Sequence, residues 1–184
     1  MLLFTSLFSA AGGFGAGVPP PAFTTYGDGD GALGAGASTR EWAGDNMMAQ
    51  AYVVPVAGKV VSVSAWCNSQ NANMRMALYS NNGSNLPDAL LAEAPGRSVV
   101  PTASWEDFEL DPGDYVPVAV NDMLWICAHT SADIWGSNAG APVQTLARRI
   151  KAQSYASGLL NPFATSTTYS ASRPMRLKIW TNAP

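Results

Sequence analysis

His129 is the only histidine in the chain, so any Ser-His-Asp or Cys-His mechanism would have to use it. Ser131, Asp122 and Asp133 are close to it in sequence. A catalytic role would need a nucleophile and an orienting acid that both converge on the imidazole, and proximity in sequence alone does not provide that convergence. The chain also lacks the Gly-x-Ser-x-Gly motif of many hydrolases. We therefore expect a hydrogen-bonded histidine at a strand end, and a protein that is not an enzyme.

The other potential metal ligands are few. One histidine and two distant cysteines, Cys67 and Cys127, cannot form a closed zinc site without carboxylates. The two thiols could pair if their strands faced each other, but no secretory signal is evident, which favours free thiols. Asp28–Gly31 is similar to the start of a calcium loop, but the chain lacks the later oxygen ligands and the closing glutamate, which favours a plain glycine turn. We expect no metal and no cofactor.

Three acidic residues, Glu106, Asp107 and Glu109, fall in one predicted strand. Glycoside hydrolysis needs two carboxylates held about 5–10 Å apart across one site. Glu106 and Asp107 are adjacent and should point to opposite faces, so they do not form such a pair. The pattern instead predicts a solvated strand edge whose charges discourage edge-to-edge aggregation.

The chain has six tryptophans. Four fall in predicted strands, where we expect at least half to pack in the core: Trp66, Trp105, Trp125 and Trp180. The others, Trp42 and Trp135, lie near predicted loops, and Trp135 is flanked by Asp133 and Asn138. A flat apolar ring beside polar groups suits a sugar, whereas exposed loop aromatics equally mark contacts between protein subunits. Both interpretations of this candidate contact site stay open.

The composition limits the class of protein. The chain has 184 residues, of which 47 % are hydrophobic and 12 % charged, with a net charge of −3. That charged fraction is about half the usual ~25 %, which argues against a disordered chain, a coiled coil or a charged helical bundle. Lysines and arginines are thinly spread and none precedes Arg40, so we expect no nucleic-acid groove. No apolar run reaches the length of a transmembrane helix, so we expect no membrane partner.

Side-chain alternation with a period of two dominates from Met47 onward. Segments 60–67, 74–79 and 175–180 each place apolar residues on one face and more polar ones on the other, which predicts half-buried antiparallel strands with one wet face. Segment 123–128 is apolar on both faces and predicts a central strand covered on both sides. Residues 52–54 and 104–110 predict two more strands, and 164–172 an edge strand. Only 89–94 and 144–152 could be short helices.

Glycine, asparagine and proline turns separate these segments, as in Asn82-Gly83 and Asp111–Asp114. Short strands at such spacing predict an all-β fold, an antiparallel jelly-roll-like β-sandwich with an extended N-terminal arm. We assign residues 1–39 to an apolar, Gly/Pro-rich arm and linker and residues 40–184 to the sandwich domain. The first residues lack the positive charge of a secretory signal. We expect the arm to bury its bulky apolar side chains against another subunit: Leu2, Leu3, Phe4, Leu7, Phe8 and Phe14.

Part of the body resembles a family of jelly-roll sandwich modules of phage virion and bacterial surface proteins. The similar runs are AGKVVSVSAWCN, MRMALYSNNGSNLPDALLAEA, SWEDFEL and LWICAHT, about 70 residues in all. The family pattern is matched by Leu78-Tyr79-Ser80, Pro87, Leu90-Leu91-Ala92 and the later strand Leu124-Trp125-Ile126, whereas Asp88 replaces the usual glycine. The resemblance implies a fold more than an activity, and a part in fibres, spikes or decoration proteins, often with carbohydrate partners.

These observations together predict a structural protein of the virion, such as a capsid decoration, head-fibre or tail component. It would assemble through its arm and its sandwich with other virion subunits as a homo-oligomer, for which a trimer is the default by analogy. The alternative is a glycan-binding adhesion or receptor-binding module that contacts a host surface glycan.

Overall fold

The computed structural model describes residues 21–27, 39–67, 72–99, 104–137, 147–163, 166–168 and 175–183. These residues form antiparallel β-strands joined by turns, with short 3₁₀ turns at Pro112–Asp114 and Tyr155–Ser157. The strands are β1 Phe23–Gly27, β2 Thr39–Trp42, β3 Asn46–Val53, β4 Gly58–Cys67, β5 Ala72–Asn81, β6 Pro87–Val99, β7 Ser104–Glu109, β8 Val116–Val118, β9 Met123–Thr130, β10 Ile134–Ser137, β11 Arg148–Ala152, β12 Thr167–Thr168 and β13 Met175–Trp180.

Two sheets form a sandwich, which confirms the predicted all-β class. The first sheet has the order β1-β13-β4-β7, and β8 pairs with the beginning of β4. The second sheet has the order β12-β11-β3-β9-β5-β6. A separate pair, β2 and β10, contacts β4, and its Ile134 is buried in the core.

The core lies between the sheets and follows the predicted alternation. Met175, Leu177 and Ile179 of β13 face inward, as do Val63 and Ala65 of β4. The second sheet supplies the opposite layer through Met48, Met74, Met76, Leu78, Ile126 and Ala128. Apolar burial of this kind is worth about 25 cal/mol per Å² removed from water, so this layer stabilises the fold.

The second sheet is also covered on its outer face, which the sequence indicated only for segment 123–128. Residues 153–163, here called the strap, cross that face from β3 to β6. At one end the backbone N–H of Tyr155 donates to Asp45 Oδ1 over 2.7 Å, and at the other the backbone N–H of Phe163 donates to the Asp88 carbonyl over 2.8 Å. In between, the Tyr79 hydroxyl donates to the Leu160 carbonyl over 2.8 Å. The strap thus connects β3 with β6, which are three positions apart across the sheet.

The strap closes a second apolar cluster on this outer face, formed by Met47, Ala49, Ala51, Ala77, Tyr79, Trp125, Cys127 and Phe163. The expectation of one wet face for segment 74–79 is therefore wrong, because Ala77 and Tyr79 are fully buried beneath the strap. The prediction that segment 123–128 is covered on both sides is confirmed, since β9 lies between β3 and β5 with its side chains buried.

The structure corrects two further local expectations. Segment 89–94 belongs to β6, and the described part of 144–152 belongs to β11, so neither forms the short helix that remained open. β6 pairs with β5 and β11 pairs with β3, and these long-range hydrogen-bond ladders override the weak local helix propensity of the two segments. Within the predicted edge strand 164–172, Thr167–Thr168 forms β12 at the edge of the second sheet.

Candidate functional site

His129 lies near the end of β9, on the outer face beneath the strap. Its side chain is fully buried, and its Nε2 is 2.8 Å from the Gln153 carbonyl. Because a carbonyl only accepts, Nε2 carries the proton and Nδ1 does not. Nδ1 has no hydrogen-bond partner in the part of the chain that the structure describes. The imidazole is therefore held as a neutral group that fixes the strap, and its hydrogen bond agrees with the prediction.

The surroundings of His129 oppose its protonation. Burial is the main cause that lowers the pKa of the imidazole below its usual 6.5, and the nearby Arg75 cation lowers it further. The Gln153 hydrogen bond and Asp45 act in the opposite direction. The Arg75 guanidinium lies 4.2 Å from the centroid of the Tyr155 ring, which itself lies 5.2 Å from the imidazole. This arrangement positions the strap against the sheet.

Both cysteines are buried and free, as the sequence predicted. Cys67 packs in the core between the sheets, whereas Cys127 lies in the second cluster beneath the strap. Burial, with a smaller contribution from Glu106, raises the pKa of Cys67 to about 12, and burial raises that of Cys127 as well. Both thiols are therefore protonated near neutral pH and poor nucleophiles.

The acidic strand is only partly the solvated edge that was predicted. Asp107 and Glu109 face outward, where Asp107 accepts from the Ser64 hydroxyl over 2.6 Å. Glu106 instead faces inward at the margin of the core, is only 6 % exposed, and binds Arg97 of β6 over 2.9 Å. The prediction is wrong for Glu106 because the strand closes the side of the sandwich, where a cation from the other sheet meets it. The expected opposition of Glu106 and Asp107 is confirmed.

The contact site predicted around Trp135 and Trp42 lies only partly within the described residues. Trp42 and Trp135 fall on the paired strands β2 and β10, where Trp42 is opposite Ile134 and Trp135 is opposite Glu41. The Asp133 carboxylate accepts from the backbone N–H of Gly44 over 2.7 Å, which holds the turn that leads into β3. Asp133 thus has a structural contact of its own. Other predicted site residues lie outside the described residues: Asn138 and the arm residues Leu2, Leu3, Phe4, Leu7, Phe8 and Phe14.

An aromatic patch lies on the outer face of the first sheet. Trp66 and Trp105 are opposite each other on β4 and β7, with ring centroids 5.7 Å apart and nearly perpendicular planes. The Arg176 guanidinium stacks 3.6 Å from the Trp105 centroid. All three side chains are half-buried. The alternation of β4 indicated this position, because Trp66 shares the face of Ser62 and Ser64.

An open groove of about 580 Å³ lies at one end of the sandwich and is here called the end groove. It lies between β8 of the first sheet and β5, β6 and β9 of the second. Its apolar lining consists of Leu91, Val116, Pro117, Met123 and Leu124. A volume of this size is in the range of ligand-binding clefts.

Polar groups border the same groove. Asn81 accepts from the Trp125 indole N–H over 3.2 Å, which leaves its amide N–H groups unbonded within the described structure. Asn121 lies at the rim with a φ of 71°, in the left-handed region. Asp122 accepts from the backbone N–H of Ala119 over 2.7 Å. The end groove therefore combines an apolar floor with amide groups at its border, and the sequence analysis did not predict it.

A smaller cavity of about 320 Å³ lies where the strap reaches β6, and Pro87, Asp88, Pro162 and Phe163 line it. Across the described ranges, no group of three or more His, Cys, Asp or Glu side chains could hold a metal ion. The described part of the chain also contains no helix long and apolar enough to cross a membrane. Neither protein-family models nor curated proteins give a match to this chain.

Proposed function

We propose that this protein is a non-catalytic structural subunit of a larger assembly, a virion component, that joins its neighbours through its apolar N-terminal arm. The observation that carries the proposal is the position of β1. This strand lies within the predicted arm and linker, residues 1–39, directly after the N-terminal residues 1–20, and it forms the outermost strand of the first sheet, paired with β13. The arm therefore joins the body at its margin.

The contrast between the filled core of the body and the apolar N-terminal residues supports the same role. The described residues from Met47 to Ile179 supply a closed core of buried apolar side chains between the two sheets. Residues 1–8 contain five bulky apolar side chains and no charged one. Such residues are costly to leave in water, and burial against a neighbouring subunit removes them from it. The arrangement favours a homo-oligomer whose subunits exchange apolar contacts.

Light scattering tests this role by comparing the full chain with a variant that lacks residues 1–20. This end point keeps Ala22, whose N–H donates to Asn182 Oδ1 over 2.7 Å and whose carbonyl accepts from the Thr181 N–H over 2.8 Å. The first strand thus stays anchored in both proteins. We expect an oligomer for the full chain and a folded monomer for the variant. Equal masses for two folded proteins would contradict the proposal.

Glycan binding is a second candidate, and the Trp66–Trp105 patch favours it. Half-buried indole rings beside the Arg176 guanidinium and the Asp107 carboxylate offer apolar faces next to polar groups. A glycan array probed with the full chain, Trp105→Ala and the control Trp180→Ala tests this candidate. We expect any specific signal to be lost in Trp105→Ala alone, and equal signals in all three proteins would exclude the patch.

A further inference from the structure

Exposed apolar side chains gather at one end of the sandwich. Among the described residues, the large apolar side chains most exposed to solvent are Phe23, Leu91 and Val120, at 49 %, 42 % and 53 %. Leu91 lines the end groove, and Val120 immediately precedes its rim residue Asn121. The β-ladders place Phe23 at the same end. An apolar groove flanked by further exposed apolar groups is typical of a surface that binds another protein segment.

The N-terminal arm joins the body at this same end. Strand pairing aligns Phe23 with Trp180, Trp180 with Lys59, and Lys59 with Pro117 of the groove. Three strand spacings of about 4.8 Å therefore separate the beginning of β1 from the groove, or about 14 Å. The 20 residues that precede the described structure can span up to about 66 Å when extended. Their length is ample to reach the groove of a neighbouring molecule.

From these observations we infer that the end groove is the acceptor for the apolar N-terminal segment, residues 1–8, of a second copy of this chain. The inference rests on the proposed function and names the partner surface of the arm. The segment has no charged side chain and contains Leu2, Leu3 and Phe4, which match the apolar floor formed by Leu124 and Val116. Its Thr5 and Ser6 can bond to the amide groups at the groove border.

The sequence that joins the arm to the body favours docking of residues 1–8 on another copy over docking on their own chain. Residues 19–21 are three consecutive prolines, and proline-rich segments act as extended, semi-rigid spacers. A semi-rigid spacer directly before β1 resists the reversal of chain direction that a return to the groove of the same molecule would require. An arm that enters the groove of the next molecule makes a heterologous contact, which closes into a ring when the rotation between subunits permits.

Two full-length variants provide the test, one with a disrupted arm and one with a disrupted groove. Leu3→Asp with Phe4→Asp damages the arm and leaves the groove intact. Leu91→Asp damages the groove and leaves the arm intact, and it alters an exposed side chain that the fold does not need. Ala132→Asp, an exposed position in the turn after the far end of β9, adds the same charge elsewhere as a control.

Analytical ultracentrifugation of these proteins, alone and mixed, gives distinct outcomes. We expect the wild type and Ala132→Asp to assemble, and each of the two disrupted proteins to sediment as a monomer. Their equimolar mixture should form a complex of two chains, because one intact arm meets one intact groove. The monomer–monomer affinity should fall at least about tenfold for Leu91→Asp relative to Ala132→Asp.

The outcomes separate this inference from the proposed function. If the wild type assembles and Leu91→Asp assembles equally well, the groove is not the acceptor, although the arm still drives assembly. If both disrupted proteins are monomers but their mixture forms no complex, the inference is also overturned. A wild type that is monomeric at every concentration would instead overturn the proposed function itself.

Discussion

Replacement of Phe163 by alanine tests whether the strap is an integral part of the fold. The Phe163 side chain is only 6 % exposed and meets the Tyr79 ring edge-on, with centroids 5.3 Å apart. Phenylalanine truncation at buried sites costs about 3–5 kcal/mol. We expect about 3 kcal/mol for Phe163→Ala, because the residue lies on the face of a sheet rather than between two. For a chain of this size, that cost lowers Tm by about 6–12 °C.

Phe23→Ala is the matched control because it removes the same ring from an exposed position. Phe23 is 49 % exposed and contacts Trp180 with ring centroids 6.1 Å apart. About half of its side chain is already in water in the folded state, so its removal should cost about 1 kcal/mol. Both variants replace one phenylalanine with alanine. The difference between their free energies of unfolding therefore reports how deeply each of the two rings is buried.

Urea denaturation followed by far-UV circular dichroism gives both free energies of unfolding. Hydrogen exchange adds a local measure, since the Phe163 amide donates to the Asp88 carbonyl and the Leu90 amide to Asn161 Oδ1. We expect both amides to lose protection in Phe163→Ala and to keep it in Phe23→Ala. Equal costs for the two variants, with unchanged protection of both amides, would refute the account of the strap.

Three further predictions concern buried polar groups. The free energy of unfolding should fall as pH drops below about 6.5, because the folded pKa of His129 lies below the unfolded value and the unfolded state takes up a proton first. Urea denaturation of His129→Gln should lack this pH dependence, and a variant that keeps it would contradict the assignment. Cys67 and Cys127 should not react with a thiol reagent in the native protein and should react once it unfolds. A colorimetric thiol titration with and without urea measures this difference. Urea denaturation should show that Glu106→Gln lowers the free energy of unfolding by about 1–3 kcal/mol, because it breaks a buried ion pair. Glu109→Gln should lower it by at most about 1 kcal/mol, because Glu109 is 60 % exposed in its 3.6 Å contact with Lys178. Equal losses in the two variants would contradict the burial of Glu106.

The sequence predicts the individual strands better than their surroundings. Alternation with a period of two identified β4, β5 and β13, and two-sided apolar character identified β9 as a covered central strand. These signals are local, because each strand carries its own pattern of burial. The short-helix alternative for β6 and β11 failed since both strands depend on partners far away in sequence.

Contacts across the fold could not be predicted in the same way. Glu106 has an ordinary strand pattern, and its partner Arg97 comes from the opposite sheet. The strap contains no strand pattern of its own, and its burial of Tyr79 depends on a crossing that no local spacing encodes. The end groove likewise arises from four strands that meet at one end. Neither a charge pattern nor a motif marks it in the sequence.

The central claim is that this protein assembles with copies of itself, and sedimentation equilibrium of the full chain tests it most directly. The measurement should extend from about 1 µM to about 100 µM, the range in which a modest self-affinity is visible. We expect a mass that rises with concentration toward a whole multiple of the 19.3 kDa chain. A mass of 19.3 kDa across the entire range would contradict it.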